Sequence, residues 1–174
     1  SAQSFRSIGG PLLVGARYYH ADEFYHRILV WDSLPTAVAN ASAIIGQATD
    51  TSVTPNGISG GNPSEISLSA PLGSPATDGT QFLVADSGNH RVLIWGSLPT
   101  SSGAPAQRVL GQSSFTVGAA NRGMAMPDAN TLKTPAAVTV AGGHIAVADS
   151  GNHRVLLWNG AISQDGAPAD VILG

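Results

Sequence analysis

AVADSGNHRVLLW, residues 146–158, stands almost unchanged as LVADSGNHRVLIW at residues 83–95, and its second half returns as HRILVW at residues 26–31. The steps from His26 to His90 to His153 are 64 and 63 residues, and a fixed period of this kind marks tandem structural units. The likeness runs past the motif. SLPT stands at residues 33–36 and 97–100, GAPA at 103–106 and 166–169, and IIGQ, VLGQ and VILG end at Gln47, Gln112 and Gly174.

In the third unit, β-prone runs at residues 136–140, 144–148, 154–158 and 170–173 are separated by AGG (141–143), DSGN (149–152) and a longer loop. Gly and Asn accept positive φ, so the two short connections suit tight hairpins and the unit reads as a four-stranded antiparallel meander. No segment carries helical periodicity. One four-stranded sheet cannot bury both faces, and packing such sheets around an axis solves that problem.

The expected fold is therefore all-β, a β-propeller of four-stranded antiparallel blades. Three blades lie in this chain, half of a six-bladed ring. Blade one spans about residues 1–47, blade two 66–112 and blade three 131–174, with long inter-blade loops at 48–65 and 113–130. Residues 1–10 align with the innermost strand of blade one. Three blades do not close a ring, so the expected partner is a second copy in a 3+3 homodimer, or the remaining blades of a longer chain.

Composition narrows the function classes. Only 11% of the residues are charged and Lys133 is the only lysine; with a net charge of −3 and scattered arginines there is no basic stripe to neutralise phosphates, so nucleic acid is not an expected partner. Cysteine is absent, which removes disulfides, thiol catalysis and Cys-ligated metal. No apolar run approaches the ~20 residues that span a bilayer, so no membrane partner is expected either. A secreted or periplasmic setting is favoured on composition.

The two long copies resemble NHL repeats, whose pattern is an apolar strand, VAD, a small turn, N-x-R and a second apolar strand. The likeness extends over essentially the whole chain, and the longer unit with its SLPT, GAPA and VLGQ tail is similar to bacterial NHL-repeat proteins. The resemblance implies the propeller fold. It implies no single activity, because NHL propellers include enzymes, protein-binding and RNA-binding domains, and a fold does not carry a function with it.

Asp86, Asn89, His90 and Arg91 recur as Asp149, Asn152, His153 and Arg154. Residues repeated at equivalent turns point to a repeated structural solution, with Asp and Asn satisfying backbone groups and Arg paired with Asp. Asp86, Ser87 and His90 have the residue types of a hydrolytic triad, but neighbours along a turn do not supply its geometry, and no G-x-S-x-G elbow is present.

Blade one departs from its siblings. Aligning Val14 with Val84 leaves eleven residues, GARYYHADEFY, before His26 where blade two has five before His90, so six residues are inserted. It gathers Arg17, Tyr18, Tyr19, His20, Asp22, Glu23, Phe24 and Tyr25 ahead of His26. Its rings either pack down on the blade or offer stacking surface to a ligand or partner, with His20, Asp22, Glu23 and His26 as donors for metal or acid–base chemistry. The insertion and the two inter-blade loops share one rim, where loops on a rigid scaffold commonly carry function. The expected function is a noncatalytic binding module with protein or small-molecule contacts on that rim, with no cofactor, no bound metal and no catalytic residue. The alternatives are a propeller enzyme (a metal-assisted hydrolase, lactonase or lyase) and a structural fragment of a larger propeller.

Overall fold

A computed structural model describes residues 9–57 and 61–174. Three four-stranded sheets follow one another along the chain, each with its strands in sequential order. The first holds β1 (Pro11–Val14), β2 (Arg17–Asp22), β3 (Arg27–Trp31) and β4 (Ala43–Ile45). The second holds β5 (Pro71–Thr77), β6 (Phe82–Asp86), β7 (Arg91–Trp95) and β8 (Arg108–Leu110). The third holds β9 (Ala137–Ala141), β10 (His144–Asp149), β11 (Arg154–Asn159) and β12 (Val171–Leu173). Neighbouring strands in each sheet are antiparallel. The chain is all-β, and the sheets are three propeller-type blades.

Local chemistry accounts for the turns. Ala141 pairs with His144 across Gly142 and Gly143, at φ 57° and 79°, a two-residue hairpin needing positive φ at both centres. Strand β5 carries a bulge between Leu72 and Ala76, where Gly73 sits at φ 69° with the Ala136 carbonyl 2.8 Å from where a Cβ would stand.

Among the described residues the first strand of blade one is Pro11–Val14; the strand expected at residues 1–10 falls largely on residues 1–8, which lie outside the described residues. One expectation for blade one is corrected: the six-residue insertion does not exist. Tyr18 pairs with Trp31 as Phe82 pairs with Trp95 and Ile145 with Trp158, so His20, not Val14, is the counterpart of Val84. The run LLV at residues 12–14 belongs to the first strand and turns at Gly15 (φ 59°) into a complete second strand.

The two faces of each sheet have different neighbours, set by the period-two alternation of side chains. The back face of blade one (Tyr19, Ala21, Ile28, Val30, Ala43, Ile45) packs on the front face of blade two (Phe82, Val84, Leu93, Trp95, Val109). The back face of blade two (Leu83, Ala85, Val92, Ile94, Leu110) packs likewise on Val138, Val140, Ile145, Val147, Leu156 and Trp158 of blade three. On the front of blade one, Leu29, Trp31 and Ile44 form a separate cluster with Tyr18 against it.

Candidate functional site

Between the second and third strands of every blade, Asp, a three-residue 310 turn, His and Arg follow in order: Asp22 to Arg27, Asp86 to Arg91, Asp149 to Arg154. His26, His90 and His153 all lie in the left-handed region, at φ 54°, 55° and 56°. That conformation is costly for a residue with a Cβ, and in two of the turns the ring has a visible use. The Nδ1 of His26 accepts the Ala70 backbone N–H at 2.9 Å, and the Nδ1 of His90 accepts that of Thr134 at 3.0 Å. Each histidine thus holds the start of the next blade, and an accepting Nδ1 places the ring proton on Nε2. Burial lowers the pKa of His26 and His90, since a desolvated imidazole resists protonation. Asp86, Asp22 and Glu23 oppose that shift at His26, and Asp86 and Asp149 oppose it at His90, where Lys133 adds to it.

The Asp–Arg pairs are buried. Arg91 Nε lies 2.6 Å from Asp86 Oδ2, with both side chains fully buried. The remaining guanidinium donors go to the carbonyls of Phe115, Ser64 and Ser67 at 2.5, 2.9 and 3.0 Å. Asp86 also accepts the Ser69 N–H at 2.6 Å and the Asn89 amide at 2.8 Å. One ion pair therefore fastens both inter-blade loops beside blade two. Blade three repeats it: Arg154 Nε is 2.8 Å from Asp149 and donates to Thr131 and Asp128, and Asp149 accepts the Lys133 N–H at 2.7 Å. In blade one, Arg27 pairs with Asp22 at 3.2 Å and reaches the Asp50 carbonyl at 3.0 Å.

Residues 132–156 match the NHL repeat family. The chain carries an NHL repeat. The matched span runs from the loop that enters blade three to the middle of β11, so it contains the Asp149–Arg154 pair and the left-handed His153, and the NHL turn has geometric counterparts in blades one and two. No curated protein matches the chain.

Two residue types that tie the loops to the blades have no signature in the repeated turn itself. Asn56 and Asn121, in the inter-blade loops at φ 58° and 51°, exchange amide hydrogen bonds with Asn89 and Asn152 at 2.8 to 3.2 Å. Gln47 and Gln112 each donate to three backbone carbonyls, those of Tyr25, His26 and Thr54 or of Asn89, His90 and Ala119. The repeated G-Q of IIGQ and VLGQ is the signal that finds the glutamines.

The nine aromatic and ionisable residues of blade one do not converge on one point. Tyr19 is buried between blades one and two, where its ring centroid is 4.8 Å from that of Phe82 and its hydroxyl donates to the Pro99 carbonyl at 3.3 Å. Tyr18 and His20 share the opposite face, with the Tyr18 hydroxyl 3.0 Å from His20 Nδ1. Asp22 is buried in its ion pair, and Arg17 pairs with Asp32 at the surface. Only Glu23, Phe24 and Tyr25 form the turn, Phe24 being exposed and Tyr25 lying under the Arg27 guanidinium, 5.0 Å from the ring centroid. Among the described residues no group of three or more His, Asp or Glu is placed to hold a metal ion. The front of blade one instead carries a hollow of about 410 Å³ lined by Tyr18, Trp31, Leu34, Pro35, Val38 and their neighbours.

Proposed function

We propose that this chain is a noncatalytic binding module on an NHL propeller scaffold, making its contacts through the blade faces at its two ends and along the loop rim, with a second copy completing a 3+3 ring. The observation that carries this is the back face of blade three. Ile45 and Leu110 are fully buried on the backs of blades one and two, whereas Leu173, in the same register, is 52% exposed, and Val171 beside it is 38% exposed. Apolar surface continuous over a sheet face favours a partner, and the surface that fits a blade's back is another blade's front.

A second copy supplies three further blades, and six lies within the about four to eight with which propellers close; remaining blades on a longer chain would present the same front face. Head-to-tail contacts of this kind generate rings when the rotation closes. A noncatalytic role is supported by the use of the turns' Asp, Asn and Arg side chains and of His26 and His90, which are taken up by scaffold hydrogen bonds. On the rim, Phe24 and Met126, 55% and 76% exposed, offer apolar contact.

Light scattering over a concentration series is the test, with Leu173→Asp measured in parallel. The expected result is a species of twice the chain mass that Leu173→Asp reduces to one. A stable species of single mass with native circular dichroism sinks ring closure by a second copy.

A further inference from the structure

The two inter-blade loops share their fixed points. Gly46 and Gly111, at φ 94° and 87°, stand against Leu68 and Leu132. Asn56 and Asn121 donate their backbone N–H groups to the carbonyls of those leucines, each at 2.9 Å. The next residue is Gly57 in the first loop and Arg122 in the second, at φ 73° and 55°. Their N–H groups go to the carbonyls of Thr54 and Ala119 at 3.1 and 3.0 Å, so the two residues hold one place in the fold.

In the second loop the Arg122 side chain lies across the junction of blades two and three. Its Nε donates to the Gly111 carbonyl at 3.3 Å and its Nη2 to the Gly166 carbonyl at 3.1 Å. Gly103 is the counterpart of Gly166, since their N–H groups go to the carbonyls of Ile44 and Val109, which pair with Leu29 and Leu93. A Cβ at Gly166 would run into the Arg122 guanidinium, whereas one at Gly103 meets no described residue within 4 Å. Gly57 has no side chain to send there. At its place opens a hollow of about 300 Å³, with Gly46, Ala48, Asn56, Gly57, Ile66 and Ser67 in its lining, large enough for a small ligand group.

We propose that this hollow binds the guanidinium of an arginine side chain from a peptide or protein partner, donating to the Gly46 and Gly103 carbonyls as Arg122 donates to their counterparts. The inference rests on reading the loop rim as a contact surface and names the chemical group that one place on it takes. The Gly46 carbonyl accepts the Leu68 N–H at 3.3 Å, which leaves it a second lone pair. Two carbonyls in fixed positions suit the rigid planar fork of a guanidinium better than the point charge of an ammonium. Asp128, whose charge favours the ionised Arg122, is matched by Ser64, with the exposed Glu65 next in the chain.

The test is a titration of the full chain with N-acetyl-arginine methylamide and, separately, its citrulline counterpart, followed through the backbone N–H resonances of Gly46 and Gly57. Citrulline puts a neutral urea where arginine has its cation, so the arginine compound is expected to bind at least about tenfold more tightly. Gly57→Arg fills the hollow from within and is expected to abolish the shifts with unchanged circular dichroism. Arg122→Gly opens the twin, and the arginine compound should then also move the resonances of Gly111 and Gly166, which stay still in the parent. Unmoved Gly46 and Gly57 resonances, equal affinity for the citrulline compound, binding retained by Gly57→Arg, or a folded Arg122→Gly without the second set of shifts overturns the proposal. Light scattering on the same samples separates the two readings. A single-mass chain that binds the arginine compound removes ring closure and leaves this site standing, whereas a double-mass chain that does not bind it removes the site alone.

Discussion

The β2–β3 hairpin of blade one and the β6–β7 hairpin of blade two follow one backbone course with two sequences, RYYHADEFYHRILVW (17–31) and QFLVADSGNHRVLIW (81–95). They agree at Ala21/Ala85, Asp22/Asp86, His26/His90, Arg27/Arg91, Leu29/Leu93 and Trp31/Trp95. Asp, His and Arg close the turn, by ion pair and left-handed cap, and Leu and Trp fix the strand's front face. The three residues inside the turn are set by what lies beside it. At Gly88 an added Cβ would stand 2.4 Å from the Ser69 hydroxyl and 2.8 Å from its carbonyl. The same place in blade one holds Phe24, and Tyr25 there stacks under Arg27 where Asn89 bonds Asn56.

The largest expected break is at the shared ion pair. Arg91→Ala leaves Asp86 buried without its cation and frees three loop carbonyls, and the loss expected for breaking a buried pair is about 3–5 kcal/mol. Urea unfolding reads it, and an unchanged midpoint would show that the pair does not hold the loops. Next comes the crowded glycine. Gly88→Ala is expected to cost about 1–3 kcal/mol, because backbone must shift, while Phe24→Ala at the equivalent exposed position stays within about 1 kcal/mol; equal melting shifts for the two would erase the distinction between the turns.

A smaller effect is expected from acid. His26 and His90 have folded pKa values below the ordinary imidazole value of 6.5, so the unfolded chain binds protons that the folded chain refuses. Their contribution is complete above about pH 6.5 and is lost as pH falls through the folded values. Between pH 7 and 5.5, stability should decline in the parent and hold level in His26→Asn/His90→Asn, since Asn keeps an acceptor and tolerates left-handed φ. A parent curve flat over this range contradicts the latch. The smallest effect belongs to replacing Glu23-Phe24-Tyr25 with Ser-Gly-Asn, expected at about 0.5–1 kcal/mol, chiefly from the lost contact of Tyr25 with the Arg27 guanidinium. A melting curve showing a larger loss would mean that the blade-one turn depends on its own three residues.

Much of the fold was legible because apolar alternation and the Asp-to-Arg spacing repeat along the chain. The strands of blade three fall within one or two residues of the runs read from the sequence. Blade one misleads because Leu12-Leu13-Val14 mimics an apolar second strand, while the true one, Arg17–Asp22, hides its alternation under two tyrosines and a histidine. Counting back from Trp31 rather than forward from Val14 gives the right register. The hollow at Tyr18 was not legible, since its lining comes from β2, the end of β3 and the loop after it, which only the fold brings together. Nor was the latch, because a backbone N–H forty-four residues beyond each histidine leaves no mark in side-chain chemistry.

That latch has a consequence for how such a chain grows. The acceptor is a side chain, but the donor is a main-chain amide, which every residue except proline supplies. Ala70 and Thr134 share neither size nor polarity, yet serve equally. Duplicating one unit of 63 or 64 residues therefore copies donor and acceptor together, and a lengthened gene yields blades that join without a new complementary pair having to evolve.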